Sequence, residues 1–256
     1  MYFDTHAHYD DEKLAPVRDK LLPSLFSGGV DYILNCATAT ENFAQTLSLT
    51  EKFPQMYGAL GIHPSDCYRY ADMASALNEV ERAVKENKKI VALGEIGLDY
   101  HYDFSPKDKQ MEYFLAQLEI AERLNVPAVI HDRDAHGDIF EALRRFKGTA
   151  ILHSCSESAE LVRQYCRLGH YISFSGSVTF KNASSVREAA RAADPDKLLI
   201  ETDCPYLAPV PFRGKLNHSG YLEYTAAALA EVRGESTEKI AEITKRNAMR
   251  LFGIEG

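Results

Sequence analysis

The feature that most constrains the fold is a repeat of short apolar runs, each followed by a segment with helical periodicity. Runs this short and this apolar are typical of strands buried in a parallel sheet. The segment 110–124 places its apolar residues at i, i+3 and i+4, and similar stripes cover 77–84, 159–168 and 221–232. The eight apolar runs are residues 2–3, 32–37, 56–60, 90–93, 128–130, 150–152, 171–174 and 198–200. Strands that alternate with helices predict a parallel sheet covered by helices.

The chain length favours a closed sheet over an open one. Eight strand–helix repeats within 256 residues match the size of a (β/α)8 barrel. A doubly wound open sheet is the alternative, but no G-x-G-x-x-G turn follows the first run. No Pro/Ser-rich linker marks a domain boundary, although 208–219 has the composition of one long loop. We therefore expect an α/β protein with a single TIM-barrel domain over residues 1–256.

Composition limits the partners and the compartment. A net charge of −8 argues against a broadly basic surface that would hold duplex nucleic acid by counterion release. The five cysteines include no C-x-x-C pair, which favours a reducing compartment over a disulfide framework. No apolar run approaches the roughly 20 residues that a membrane span requires, and no signal-like segment precedes the first run. We expect a cytoplasmic protein with no membrane association, and nothing indicates an obligate protein partner.

Polar residues that can bind a metal follow one apolar run after another. In a (β/α)8 barrel the carboxyl ends of all strands meet on one face, so residues that are distant in sequence share one pocket. The residues in such positions are Asp4, His6, His8, His63, Glu95, His131, His153 and Asp203. The sequence therefore predicts a metal site at the carboxyl ends of the strands.

The H-x-H pair and Glu95 are the first candidate ligands. Alternate residues of an extended chain point the same way, so His6 and His8 can bind one ion together. Two surface histidines are the alternative, which Asp4 and the matching downstream residues disfavour. Glu95 lies close to glycines in GEIGLDY, where a carboxylate can bridge two cations. A salt-bridged glutamate on a turn is its alternative.

The later runs add two histidines and a carboxylate. His131 and His153 directly follow consecutive runs and are predicted as ligands of a second ion, whereas one such histidine alone would more often be a core residue. Asp203 follows the eighth run, where a carboxylate can ligate an ion and accept a proton from its bound water. A turn cap is the alternative for Asp203. We expect Asp99 to bond a loop amide and to lie outside the ligand set.

Other polar and aromatic residues are candidates for substrate contact. His63 precedes Pro64, which favours an extended conformation at the rim, so we predict that it faces substrate and is not a ligand. Arg213 and Lys215 lie in the long loop and can hold a phosphate, with a solvated loop as the alternative. Candidate platforms for stacking bases, or else rim packing residues, are Tyr100, Tyr102, Phe104 and Tyr206.

These motifs, in this order, are similar to those of one family. They are DTHAH at 4–8, GIHP at 61–64, GEIGLDY at 94–100, VIHDRDA at 129–135, HS at 153–154, SFSGSVTFKNA at 173–183, ETDCPYLAP at 201–209 and RGK at 213–215. The chain resembles the TatD-type metal-dependent deoxyribonucleases among the amidohydrolase-like TIM barrels. The resemblance implies two metal ions, one held by His6, His8, Glu95 and Asp203 and the other by Glu95, His131 and His153.

The chain departs from the family pattern at two places. Members often carry phenylalanine and then a serine–glycine pair soon after the sixth-strand histidine, whereas this chain reads HSCSE at 153–157. Many members continue with Glu-Pro after RGK and an asparagine, whereas here His218 and Ser219 follow Asn217. The expected metal ligands are unaffected, and the differences fall on the predicted substrate loop.

The resemblance implies a hydrolase that cleaves phosphodiester bonds with a metal-activated water, with Asp203 and Glu95 as the catalytic carboxylates. The expected substrate is DNA, as single strands or ends. The expected cofactors are two divalent metal ions, which are Zn, Mg or Mn. One alternative is an enzyme acting on a lactone, cyclic amide or phosphate ester. Such relatives commonly bridge their metals with a modified lysine, and no lysine directly follows an apolar run here. A metal-containing binding protein without catalysis is the third reading.

Overall fold

A computed structural model describes residues 1–255 of the protein. Its strands form one sheet in which they follow their order along the chain. They are β1 (Tyr2–Ala7), β2 (Val30–Ala37), β3 (Met56–Leu60), β4 (Ile90–Asp99), β5 (Ala128–Arg133), β6 (Ala150–Leu152), β7 (Tyr171–Phe174) and β8 (Leu198–Ile200). Within each unit described below the paired strands run parallel.

Helices alternate with these strands. The α-helices are α1 (Arg18–Ser27), α2 (Thr40–Lys52), α3 (Met73–Glu86), α4 (Lys107–Leu124), α5 (His136–Leu143), α6 (Ala159–Arg167), α7 (Ser184–Ala192), α8 (Leu222–Arg233) and α9 (Thr237–Phe252). Short 3-10 helices occur at Pro64–Arg69, Gly176–Thr179, Pro195–Lys197 and Ser219–Tyr221. Within residues 1–255 no helix combines the length and the apolar character needed to cross a bilayer.

The chain divides into two compact units. The first unit comprises residues 1–35 and 153–255 and contains β1 and most of β2 together with β7 and β8. Within it the last strand lies beside the first, because the Thr5 hydroxyl donates to the Ile200 carbonyl at 2.9 Å. The core of this unit includes Phe3, whose ring lies 5.6 Å from that of Phe252. Burying such aromatic rings is a main source of stability.

The second unit comprises residues 36–152, in which β3 to β6 lie side by side. The two longest of these strands approach closely at Gly97, whose φ is 143°. A Cβ atom at this position would overlap the carbonyl oxygen of His131, so only glycine fits without a shift of the backbone. The close approach lets β4 continue to Asp99 alongside β5.

The predicted fold class, an α/β protein with the (β/α)8 repeat of a TIM barrel, is confirmed by the strand order and the alternation with helices. Three strands extend beyond their predicted ends, so His6, Glu95 and His131 lie within strands and not after them. The physical reason is that strand pairing depends on backbone hydrogen bonds, which polar residues make as well as apolar ones. The single-domain organisation over residues 1–256 stays a prediction.

Candidate metal centres

A first group of metal-capable side chains lies in the first unit, where β1 adjoins β8; we call His6, His8 and Asp203 the β1/β8 cluster. The Nε2 atoms of His6 and His8 are 3.0 Å apart. Asp203 Oδ1 lies 3.3 Å from His8 Nε2 and 3.7 Å from His6 Nε2. Two imidazole nitrogens and a carboxylate oxygen that converge in this way are the donor set that Zn²⁺ and similar ions bind.

Backbone bonds between the first and last strands fix this geometry. The Asp203 N–H donates to the His6 carbonyl at 2.9 Å, and the His8 N–H donates to the Cys204 carbonyl at 2.8 Å. Asp203 has a φ of 57°, in the left-handed region that aspartate tolerates better than most residues. The carboxylate is thereby turned toward His6 in β1 and His8 just after it.

The histidines keep the Asp203 carboxylate charged. Burial alone raises the pKa of this carboxyl group, but the hydrogen bond from His8 and the charges of His153, His6 and His8 outweigh burial and lower its pKa. An ionised carboxylate is the form that ligates a cation and accepts a proton.

A third histidine in the first unit, His153, is positioned by a buried carboxylate. The His153 ring stacks on the His6 ring, with centroids 4.0 Å apart and an interplanar angle of 17°. Glu201 Oε1 accepts from His153 Nδ1 at 3.2 Å and from the Ser154 N–H at 2.6 Å. Because Nδ1 then carries the proton, Nε2 of His153 is left with the lone pair that can bind an ion.

The second carboxylate oxygen of Glu201 fits a site for a nearby cation. Its Oε2 atom is buried and has no hydrogen-bond partner within residues 1–255. A buried carboxylate oxygen without a donor is costly unless a positive charge compensates it. Oxygen and nitrogen atoms of Glu201, His6 and His153 lie within 4.8 Å of one another, so an ion held by these histidines fits the donor set.

Asp4 supports the β1/β8 cluster without facing it. Its two oxygens accept from the Thr202 N–H at 2.9 Å, the Thr202 hydroxyl at 2.6 Å and the Ser219 hydroxyl at 2.7 Å. Burial raises the pKa of Asp4 to about 7, although the hydrogen bonds from Thr202 and Ser219 act in the opposite direction. The Tyr9 hydroxyl lies 2.8 Å from the Ser219 hydroxyl and completes the network. Ser219 is therefore a buried structural residue.

A second group lies in the second unit; we call Glu95 on β4 and His131 on β5, with His63 after β3, the β4/β5 cluster. Glu95 Oε1 is 2.8 Å from His131 Nδ1 and 3.6 Å from His63 Nε2. The three donor atoms lie within 4.8 Å of one another. The register between β4 and β5 pairs His131 with Gly97, so Glu95, two residues before Gly97, lies diagonally across from His131.

Asp99 positions His131 much as Glu201 positions His153. Its Oδ2 atom lies 3.1 Å from His131 Nε2, and its Oδ1 accepts the N–H groups of His101 and Tyr102, each at 3.0 Å. Burial raises the pKa of Asp99, but the hydrogen bonds from His131 and from these amides outweigh it and lower the pKa. The predicted bond to loop amides is confirmed, and the contact with His131 is an addition to it.

His63 is arranged as a hydrogen-bond donor and not as a metal ligand. Its Nδ1 accepts from the Ser65 N–H at 3.1 Å, so a neutral His63 carries its proton on Nε2, the atom that faces Glu95. A protonated nitrogen does not ligate an ion. This geometry fits a residue that contacts substrate better than it fits a metal ligand.

The other predicted substrate residues make contacts of their own. The Arg213 guanidinium lies 3.7 Å from the centre of the Phe180 ring, and Lys215 is exposed in the same loop of the first unit. In the second unit the Tyr100 hydroxyl donates to Asp138 Oδ2 at 2.7 Å. Among the described residues, these contacts do not join Arg213 or Tyr100 to the histidines of the clusters.

Glu201 was not among the residues singled out from the sequence, and neither was the contact between Asp99 and His131. The available signal was position, because Glu201 opens the ETDCP segment after β8 and Asp99 ends the GEIGLD segment of β4. A histidine ligand commonly donates its second ring nitrogen to a carboxylate. A search for one such carboxylate per predicted histidine would have pointed to both residues.

Comparison with known proteins shows which family the chain matches. The model of the family described as TatD related DNase matches residues 3–253. YabD of Bacillus subtilis (strain 168), an uncharacterised metal-dependent hydrolase, is 38% identical over 99% of this chain and 100% of its own. YcfH of Escherichia coli (strain K12), described in the same words, is 37% identical over 98% of this chain and 96% of its own. The crystal structure of YjjV, a TatD homologue from Escherichia coli K12, has a TM-score of 0.92 and 30% identity, covering 99% of this chain and 98% of that one.

The fold and the donor clusters define a metal-dependent hydrolase. Within that class the chain belongs to the TatD family, whose model spans nearly its whole length.

Proposed function

We propose that this hydrolase cleaves phosphodiester bonds of DNA, acting on single strands or on strand ends. The observation that carries the proposal is the convergence of His6, His8 and Asp203, which gives a charged carboxylate beside two imidazole donors. The family description, TatD related DNase, supports the choice of DNA as the substrate. The charge of −8 supports single strands or ends over long duplexes, because a few local charges and aromatic rings suffice for a single strand.

The donor clusters fit two divalent ions. His6, His8 and Asp203 would hold one ion and Glu95 with His131 another, while His153 offers Nε2 as a further donor. Mixed imidazole and carboxylate donors suit Zn or Mn, and such sites also accept Mg. A bound ion of this kind lowers the pKa of a coordinated water and neutralises charge on phosphoryl oxygens.

The carboxylates would handle the proton of the attacking water. Asp203, ionised because three histidines lower its pKa, accepts that proton as a general base. The water oxygen forms a bond to phosphorus, and the bond from phosphorus to the leaving sugar oxygen breaks. Glu95 is the second proposed catalytic carboxylate and would help to hold an ion in the β4/β5 cluster.

Positively charged and N–H donor groups would bind the phosphate. His63 presents a protonated Nε2 that can donate to a phosphoryl oxygen. Arg213 lies over the Phe180 ring, which leaves the N–H groups at the edge of its guanidinium free to bind a phosphate in a bidentate manner. Lys215 and Tyr100 complete the proposed substrate-binding set.

The test is a substrate panel with matched variants. Purified protein with Mg²⁺, Mn²⁺ or Zn²⁺ is incubated with end-labelled single-stranded DNA, duplex DNA and RNA, and with a set of lactones and simple phosphate esters. We expect shortening of single-stranded DNA, with a loss of about 100-fold or more in rate for Asp203→Asn and Glu95→Ala. Glu86→Gln, an exposed carboxylate on α3, is the matched control and should keep the full rate.

Three outcomes would overturn the proposal. DNA cleavage that survives both Asp203→Asn and Glu95→Ala would come from a contaminant. Hydrolysis confined to lactones or small esters, with intact DNA, would instead favour the small-ester alternative. Full metal occupancy with no activity on any substrate would favour a binding protein.

A further inference from the structure

An exposed pair of aromatic rings follows β4 in the second unit. Tyr102 is 44% exposed and Phe104 59% exposed. Their rings stack, with centroids 5.4 Å apart and an interplanar angle of 25°. We call Tyr102 and Phe104 the aromatic pair. Large apolar side chains that are exposed together, in contrast to isolated ones, mark interaction sites.

Phe104 has one open face. Its only ring neighbour among the described residues is Tyr102, which covers one side of the ring. Tyr102 is more enclosed, with the Arg133 guanidinium 4.7 Å from its ring centre and His101 edge-on at 4.9 Å. The open side of Phe104 is therefore the place where another flat group can stack.

The turn that carries the aromatic pair is held at both ends. Gln110, buried on α4, accepts from the Asp99 N–H at 2.9 Å. Its amide group donates to the carbonyl of Asp99 at 3.0 Å and to that of Ser105 at 2.9 Å. A surface that is fixed before binding loses little conformational entropy when a ligand arrives. The rings are thus positioned in advance.

The same turn is tied to the β4/β5 cluster. Asp99 bonds the amide of Tyr102 through Oδ1 and faces His131 through Oδ2. Arg133 lies two residues beyond His131 on β5 and adds a positive charge beside the aromatic pair. His101 Nδ1 lies 3.0 Å from Asp134 Oδ2 beside the same turn. A nucleic-acid strand bound at His131 would therefore pass close to the aromatic pair, where Arg133 lies against the Tyr102 ring.

We propose that an unpaired base of a single-stranded polynucleotide stacks on the open face of Phe104, with Arg133 drawing the adjoining phosphate. This inference rests on the proposed nuclease function. A flat, half-polar base fits this site because every base has a π face. Bases in a duplex have their π faces covered, so an unpaired base is the proposed ligand. The cation in the stack favours a phosphate-bearing ligand over an uncharged apolar one.

The test measures binding and not only cleavage. In an Asp203→Asn background, which leaves the strand uncut, fluorescence anisotropy is used to measure the affinity of metal-loaded protein for a labelled thymidine oligonucleotide and for the same length of abasic strand. We expect Phe104→Leu to weaken binding of the oligonucleotide about 5- to 100-fold, since one base–aromatic stack is worth that much. Binding of the abasic strand should change little.

Two further variants separate stacking from general damage. Phe104→Tyr keeps the flat ring and should restore the affinity. Tyr57→Leu on β3 removes a ring that likewise carries a cation, Lys89 at 4.0 Å, and should leave the affinity unchanged. A thermal melt of each protein checks that an exposed substitution leaves the fold intact.

The outcomes distinguish this inference from the proposed function. Equal affinity of Phe104→Leu and its parent for the oligonucleotide, or equal weakening for the abasic strand, overturns the stacking site even if wild-type protein cleaves DNA. Base-dependent binding that requires Phe104, in a protein that cleaves no nucleic acid, supports the stacking site and overturns the nuclease assignment.

Discussion

The two units support their metal-capable residues with carboxylates in different ways. In the first unit the supporting residues Asp4 and Glu201 are fully buried, and Asp4 bonds Thr202 and Ser219, which are 198 and 215 residues away. In the β4/β5 cluster Asp99 bonds amides two and three residues ahead of it and a histidine 32 residues away. One support is distant in sequence and the other is mostly local.

This difference predicts that metal binding and folding stability are coupled more strongly in the first unit than in the second. A distant, buried network forms only when the ends of the chain have come together, so a change in it affects folding as well as the ion. A local turn closes at a smaller cost in chain entropy and can be altered with less effect on the rest of the unit. Substitutions in the first-unit network should therefore change both metal affinity and the free energy of unfolding. Substitutions in the turn at Asp99 should change mainly metal affinity.

Glu201→Gln should have the largest combined effect. The amide no longer attracts the His153 Nδ1 proton as a carboxylate does and offers no negative charge, so we expect metal affinity to fall about 10- to 100-fold. The buried amide group should also lower the free energy of unfolding by about 1–3 kcal/mol. Competition with a chelating dye gives the affinity, and urea unfolding in EDTA gives the stability. Unchanged values in both would show that Glu201 does not position His153.

Asp99→Asn should reduce metal affinity by a similar factor of about 10 to 100 but alter stability by less than about 1 kcal/mol. The reason is that the asparagine oxygen still accepts the N–H groups of His101 and Tyr102, while the charge that faces His131 is lost. The same two measurements apply, and Asp103→Asn, an exposed neighbour in the turn, is the control. A stability loss as large as that of Glu201→Gln would contradict the local character of this support.

Ser219→Ala should lower the free energy of unfolding by about 1–3 kcal/mol, because buried Asp4 and Tyr9 each lose a hydrogen-bond partner. Ser24→Ala, which removes an exposed bond to the Leu21 carbonyl, is the matched control and should change little. Urea unfolding compares the two. Equal stability of both variants would mean that the Asp4 network does not support the first unit.

His218→Asn should have the smallest effect and change only the pH dependence. Burial lowers the pKa of His218, so below about pH 6.5 the unfolded chain binds more protons than the folded one, and stability falls as the pH falls. Asparagine can still accept the Gly220 N–H that His218 Nδ1 now accepts. Between pH 7.5 and 5.5 the wild type should lose more stability than the variant, by less than about 1 kcal/mol. Parallel stability curves would refute this.

The strands and the candidate donors were accessible from sequence for a simple reason. Apolar runs and helical stripes are local patterns, and a parallel sheet places the ends of its strands at one edge. These patterns predict all eight strands and indicate His6, His8 and Asp203 as candidate ligands. Three strands end later than predicted, because the sequence near a polar residue does not show whether that residue still pairs with the neighbouring strand.

The supporting contacts were less accessible, because they depend on distances across the sheet. The bond between Glu201 and His153 spans 48 residues, and nothing near either residue specifies its partner. The proton position on His63 depends on a single amide at Ser65, which only a folded turn brings within reach. Such details follow from packing and not from local preference.

The close approach of β4 and β5 at Gly97 has a consequence for the size of ion that this region accepts. Glu95 and His131, whose donor atoms are 2.8 Å apart, project from the two strands that come close at Gly97. A side chain at position 97 would push the strands apart and widen that separation. We therefore expect the β4/β5 cluster to tolerate larger cations when Gly97 is replaced.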